Sequence, residues 1–298
     1  MTTRKKRILK GITRNVNKKK DTGCLSGGSS SHNKFAVMAI FKNEAAAIRE
    51  WIEHYKWQGV DTILLLNNNS TDNWKEKIKG LEENVTVLDA REDGAQVKNY
   101  TNIGLPWLKA HGVKVLTILD LDEFMYGTGG KNLKQRVEEI FGDANNRPSR
   151  VTYLWTPFGS SGHNTQPNSI RKGFTWKVRN SRSYLKNRNT LDGSIKSIIW
   201  LDDLKDGDID HHKPQMKGKE LGIDESPPGI KINHYRVQSK QFWRNVKMKR
   251  GDVYHKNTTN VRAKSAKRNW EKFKDGDVNE LEDTELKNLV EKHERETS

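Results

Sequence analysis

Apolar side chains along this chain follow two rhythms, short unbroken runs and helically spaced stripes, and the two alternate between residues 35 and 119. Phe35-Ala-Val-Met-Ala-Ile-Phe41, Thr62-Ile-Leu-Leu-Leu66, Val85-Thr-Val-Leu88 and the stretch Val113 to Leu119 are continuous runs of strand length. Such runs predict strands buried on both faces. Between the first two, Ala45, Ile48, Trp51, Ile52 and Tyr55 trace one face of a helix over 44–57, with Asn43 as its N-cap and Gly59 as its stop. Gln96 to Ala110 predicts a further helix in spite of Pro106. Strands alternating with helices at this spacing predict an α/β fold, a mostly parallel sheet with helices on both faces.

Past residue 119 the pattern loosens. Leu133 to Phe141 reads as a helix and Val151 to Trp155 as a strand, with short strands near 173–178 and 195–200. A basic helix follows Ser239 and runs through Arg250, and residues 261–298 read as charged and helical. Gly27-Gly-Ser-Ser-Ser has the composition of a flexible linker. The expected organisation is a basic tail over 1–33, a main domain over 34–256 and a charged helical extension over 257–298.

Composition narrows the classes. In 298 residues there is one cysteine, Cys24, which excludes an internal disulfide and a cysteine-rich metal site. Mean hydropathy is −0.92, and no apolar run approaches the ~20 residues of a membrane span. A soluble protein of a reducing, cytoplasmic compartment is the expectation. The net charge is +16, and residues 1–20 contain nine Lys or Arg and no acid. Such a tail could touch nucleic acid or an anionic membrane face, the latter making the protein peripheral at a membrane, although a tail of this kind is more often a solvated arm.

The candidate chemistry sits where Val115-Leu-Thr-Ile-Leu runs into Asp120-Leu-Asp122-Glu123. Acids at the C-terminal end of a buried strand stand in the crevice where open α/β sheets bind ligands. Asp120 and Asp122 are spaced to reach one hard cation, Mg²⁺ or Mn²⁺, carrying a phosphorylated substrate. Other predicted strand ends carry polar groups as well: Asn43 and Glu44, then Asn68 to Asp72, then Arg91 to Asp93. A lone acidic loop would mean little, whereas four clusters along one sheet edge are how a nucleotide pocket is assembled.

Taken in order, Phe41-Lys-Asn-Glu-Ala, Glu50-Trp-Ile-Glu-His-Tyr, Gly59-Val, Asn68-Asn-Asn-Ser-Thr-Asp72 and Leu119-Asp-Leu-Asp-Glu-Phe124 resemble glycosyltransferase family 92 and related family-2-like enzymes. Trp155 with Phe158-Gly-Ser-Ser-Gly-His163, and Asn233-His-Tyr-Arg with Ser239 and Arg250-Gly251, extend the resemblance over about residues 35–255. It implies a GT-A type fold, a nucleotide-sugar donor, a UDP-sugar by preference, a glycan or glycoconjugate acceptor, and a divalent metal at the D-x-D. Asp122 would bind the metal directly, with Asp120 reaching ribose or metal through water. Asn43, Glu44, Asn68, Asp72 and Gln96 would hold the donor's base and ribose, although Asn and Asp at such places also make caps and turns. His234 matches the late histidine that completes such metal sites, with His212 as its competitor beside Asp208 and Asp210. Trp155, Phe158 and His163 would wall the acceptor, or else pack in the core.

An inverting transfer needs a base for the acceptor hydroxyl. Asp202 and Asp203 are the candidates, together with Asp192, since no Glu-Asp pair follows the D-x-D where the family-2 pattern places one. Two other readings compete. Ile118-Leu-Asp-Leu-Asp-Glu also resembles the first motif of haloacid-dehalogenase-type phosphatases, but Phe124 stands where that motif wants Thr or Val. A non-enzymatic nucleic-acid binder would explain the charge, but not acids at strand ends, which repel phosphate unless a metal intervenes. No P-loop occurs, and no specific nucleic-acid partner is expected.

Overall fold

A computed structural model describes residues 33–249 and 270–298, all within a unit spanning His32–Ser298. The strands are β1 (Phe35–Phe41), β2 (Thr62–Asn67), β3 (Val85–Asp89), β4 (Val115–Ile118), β5 (Glu123–Gly127), β6 (Arg150–Leu154), β7 (Thr156–Pro157), β8 (Trp176–Lys177), β9 (Ile195–Trp200), β10 (Glu220–Leu221), β11 (Ile230–His234) and β12 (Leu281–Glu282). Seven of them form one sheet in the order β10-β6-β9-β4-β1-β2-β3. β1 pairs in parallel with β2 and β4, β2 with β3, and β6 with β10, while β9 runs antiparallel to both β4 and β6. The α/β class and the mostly parallel sheet are therefore as expected.

Three of the unbroken runs form the central strands β1, β2 and β4, covered on both faces, whereas Val85–Leu88 lies in the edge strand β3 and is only half-buried. Val37, Ala39, Phe41, Ile63 and Leu65 share a core with Trp51, Ile52 and Tyr55 of the helix Ile48–Trp57 and with Val137 and Phe141 of the helix Leu133–Phe141. The alternate residues Met38, Ile40, Leu64 and Leu66 face the other way, onto Tyr100, Leu105 and Leu108. Those three lie on the helical stretch 96–110, which opens into a π turn at Tyr100–Gly104 just before Pro106. Burying each large apolar side chain contributes roughly 1.5–3 kcal/mol, so the two cores hold the strand ends in fixed positions.

Three details depart from the expectations. The helix Ile48–Trp57 starts after a turn at Ala47 that has no side-chain cap. Asn43 instead takes a left-handed φ of 54°, and its Oδ1 accepts from the Thr71 N–H (2.7 Å) and the Asp72 N–H (3.3 Å). The short strand expected near 173–178 is only the two-residue β8, and a short helix, Ile170–Gly173, precedes it. The helix Glu285–Thr297 buries Leu286 and Val290 in the same core as Trp51, so the described part of the C-terminal extension belongs to the main unit. The basic tail, except Asn33, and the expected boundary near 256 lie outside the described residues. Among the described residues no helix is long and apolar enough to cross a membrane.

Candidate active site

β4 ends at Ile118, and the chain turns through Asp120 and Asp122 into β5, which leaves the large sheet for a small one. There β11 lies between β5, antiparallel, and β7, parallel, with His234 opposite both Glu123 and Pro157. The turn is pinned from several sides. The Trp51 indole Nε1–H donates to the Asp120 carbonyl (3.0 Å), the Tyr55 hydroxyl to the Glu123 carbonyl (3.0 Å), and the Tyr235 N–H to the Asp122 carbonyl (2.8 Å). The acids are thus presented by a rigid corner, with the large core beneath them.

Two cations that the sequence reading had not singled out meet these acids. Lys196, on β9 and fully buried, places Nζ 3.3 Å from Asp120 Oδ2 and 3.2 Å from Glu123 Oε2. Because β9 is antiparallel, its first residues arrive at the edge where β4 delivers its acids. Burial works to lower the Lys196 ammonium, but Asp120 and Glu123 outweigh it and raise it above the ordinary lysine value. Burial pushes the Glu123 carboxyl well above its usual range against the pull of Lys196. The Asp120 carboxyl is held low by Lys196 and then His211, in spite of burial.

The second cation is Lys247, whose Nζ lies 2.5 Å from Asp122 Oδ2. It ends the π turn Trp243–Lys247, which follows the short helix Lys240–Phe242 capped by the Ser239 hydroxyl. On the other carboxylate oxygen, His234 Nε2 stands 3.6 Å from Asp122 Oδ1. Burial alone would raise Asp122, yet Lys247 and His234 hold it well below the carboxylate range. Burial lowers the His234 imidazole, only partly offset by Asp122, so it is the neutral, metal-competent form that stands beside the carboxylate. At 3.6 Å, Oδ1 and Nε2 stand near enough to interact with each other and, after a small approach, to share one cation. Among the described residues no three His, Cys, Asp or Glu side chains converge on a metal position. Asp122 and His234 are the pair of such side chains that meet at this corner.

The other candidates divide. His212 is close, but its Nδ1 contacts the Ile195 carbonyl (2.9 Å), and its ring lies beside Trp155 (5.6 Å) and His211 (4.0 Å). Burial and the Lys196 charge lower His212, and they take His211 down to about 3. Trp155 covers His234, with ring centroids 4.2 Å apart. Phe158 is buried against Tyr235, which makes it a core residue and no acceptor wall. His163 Nε2 contacts the Gly173 carbonyl (2.9 Å), tying its loop down.

Asn43, Asn68 and Asp72 knit neighbouring strand-end loops together. Asn68 Nδ2 donates to the carbonyls of Ala90 (2.6 Å) and Glu92 (3.0 Å), and Asp72 Oδ2 accepts from the Ala45 N–H (2.7 Å). The remaining oxygens, Asn68 Oδ1 and Asp72 Oδ1, are buried with no hydrogen-bond partner among the described residues. Glu44 is buried at the exit of β1, and Gln96 Nε2 donates to the Tyr100 hydroxyl (3.3 Å). Asp202 and Asp203 are not brought to this edge. They follow β9, whose Trp200 pairs with Val115 at the start of β4, so they lie at the opposite end of the sheet. Asp202 pairs there with Lys114 (2.8 Å), and Asp203 with Arg147 (2.6 Å) and the Ser149 hydroxyl (2.7 Å). Asp192, exposed in the loop before β9, is on the side of the acids.

The family model for glycosyltransferase family 92 matches residues 35–296. A glycosyltransferase family 92 protein of Oryza sativa subsp. japonica is 25% identical over 225 residues, covering 69% of this chain and 34% of that protein. One of Ricinus communis is 22% identical over 241 residues, covering 74% and 39%. The chain thus spans between a third and two fifths of the length of the curated relatives it matches. Among solved structures, glucosyl-3-phosphoglycerate synthase of Mycobacterium tuberculosis, in complex with Mn²⁺ and UDP-glucose, is 13% identical, with a TM-score of 0.34 over 59% of this chain and 58% of that one.

Proposed function

This chain belongs to glycosyltransferase family 92, and from that premise we propose that it transfers a sugar from a nucleotide-sugar donor, a UDP-sugar, to a hydroxyl of a glycan or glycoconjugate, in a metal-dependent and inverting reaction. The observation that carries this reading is the pairing of Asp122 Oδ1 with a neutral His234 Nε2, 3.6 Å apart, on a rigid corner at the C-terminal edge of the sheet. Asp122 and His234 would hold Mn²⁺ or Mg²⁺, which when bound neutralises charge on the leaving diphosphate.

The chain's own residues do the rest. Asn68 Oδ1 and Asp72 Oδ1 are buried acceptors awaiting donors, suited to the N–H of a base and the hydroxyls of a ribose. Asn43 fixes the loop that carries Asp72, and Glu44 and Gln96 shape the floor of the same strand edge. Asp120, held ionised by Lys196, would reach ribose or metal through water. Trp155 offers an apolar face to the acceptor while it excludes water from His234. Of the aspartates considered for proton removal, Asp192 alone stands on this side, and it takes that role in the proposal.

The test is release of UDP from a panel of UDP-sugars, with and without acceptor. Asp122→Ala should lower turnover by ~100-fold or more, because a bound cation supplies several kcal/mol of transition-state stabilisation. Its circular dichroism should be unchanged, since the side chain lies at a strand end and outside the apolar core. Full activity in that variant, or in EDTA, would refute the metal-dependent reading.

A further inference from the structure

We propose that Lys247 is an exchangeable counter-cation: its ammonium holds Asp122 until metal and nucleoside diphosphate arrive together, and then moves from the carboxylate to the diphosphate. The proposal rests on the metal reading above. Its basis is that one carboxylate is shared between two different partners. Lys247 Nζ takes Oδ2 at 2.5 Å, and His234 Nε2 faces Oδ1 at 3.6 Å. A dication held between Asp122 and His234 would stand within a few ångströms of an ammonium in a poorly solvated corner, where like charges repel strongly. Lys247 must leave Asp122 for such an ion to be held well.

The way Lys247 is mounted allows this. Lys196 projects from a central strand and is wholly buried, whereas Lys247 ends a π turn and keeps part of its side chain in solvent. That turn closes through the Met248 N–H to the Trp243 carbonyl (3.0 Å), and the ammonium also lies 5.9 Å from the Phe242 ring. π turns are short, locally widened stretches that recur at functional sites. A lysine on a flexible four-carbon stem can swing from a carboxylate to a phosphate without moving the backbone.

Charge balance gives the exchange its order. Asp120 and Asp122 already face two ammonium groups, Lys196 and Lys247. A bare dication adds positive charge beside the Lys247 ammonium, while a dication accompanied by a diphosphate does not. The displaced ammonium then finds acceptors on the diphosphate, in charge-assisted hydrogen bonds. Metal and diphosphate should bind synergistically, with Lys247 as the coupling element.

The experiment is a Mn²⁺ titration followed by the electron paramagnetic resonance signal of free aqueous Mn²⁺, with and without UDP. It compares the wild type with Lys247→Met, Lys247→Gln and the exposed control Lys249→Met, each checked by circular dichroism. The wild type should bind Mn²⁺ weakly alone and about tenfold tighter with UDP, within the usual range for coupled sites. The two Lys247 variants should bind Mn²⁺ alone about tenfold tighter than wild type and lose most of the UDP enhancement. Lys249→Met should match wild type. Unchanged or weaker Mn²⁺ binding alone in the Lys247 variants, or an undiminished UDP enhancement, overturns the exchange. No Mn²⁺ binding to any form, with or without UDP, would instead overturn the metal reading on which it rests.

Discussion

Asp120 and Asp122 are two residues apart in sequence, yet the protein treats them as opposites. Asp120 faces a lysine that is fully buried on a central strand and shared with the buried carboxylate of Glu123. Asp122 faces a lysine at the end of a short turn, with an uncharged imidazole on its other side. The inner cluster is built into the sheet, and its cation cannot leave without a strand moving. In the outer cluster the cation can be replaced. Two acids in one motif can thus be divided between a permanent charge that shapes the corner and a carboxylate left available for a ligand.

The inner cluster gives the largest expected effect. Lys196→Met strips the shared ammonium from two neighbouring carboxyl groups, and breaking a buried ion pair from one side costs about 3–5 kcal/mol. Glu123 absorbs part of that by binding a proton, since burial already pushes its carboxyl up. Urea unfolding measures the cost. A loss below about 1 kcal/mol would show that the inner cluster is no more structural than the outer one.

In the outer cluster, His234→Ala should raise the Mn²⁺ concentration needed for half-maximal activity by roughly 10–100-fold, with much of the rate recovered at high Mn²⁺. His212→Ala should shift it far less, because the His212 ring is engaged with the Ile195 carbonyl. A shift in the His212 variant alone would move the exchangeable site to the inner cluster. The smallest effect is expected at the far edge. Asp202→Asn removes a half-exposed pair with Lys114, which should cost at most about 1 kcal/mol and leave turnover unchanged. A large loss of turnover there would mean that the two ends of the sheet are not as separate as β9 makes them.

How much of this was legible in the sequence follows from how local each signal is. β1, β2 and β4 could be read because they are apolar on both faces, and the end of β4 placed Asp120 and Asp122 correctly. His234 was reachable only through the family resemblance; its pairing opposite Glu123 joins segments about a hundred residues apart. The partners of the two acids left fainter traces. Lys196 is a single charge inside Ile195-Lys-Ser-Ile-Ile-Trp200, an anomaly that signals a buried ion pair. Lys247 was one of seven basic residues between 231 and 250, and nothing local marks it out. Asp202 and Asp203 misled because sequence alone does not show that β9 runs antiparallel, which sends its C-terminal acids away from the site. Asn43 read as a helix cap because its chemistry is the same in both roles, accepting from backbone N–H groups.

The indole of Trp155 lies 4.2 Å from the ring of His234 and 5.6 Å from that of His212, and its Nε1 is buried without an acceptor among the described residues. The site therefore carries its own optical probe. Indole emission is quenched by a nearby imidazolium and by paramagnetic ions, so Trp155 fluorescence should register whatever His234 binds. The chain has nine tryptophans, and the difference between wild type and Trp155→Phe isolates that one emitter from the other eight.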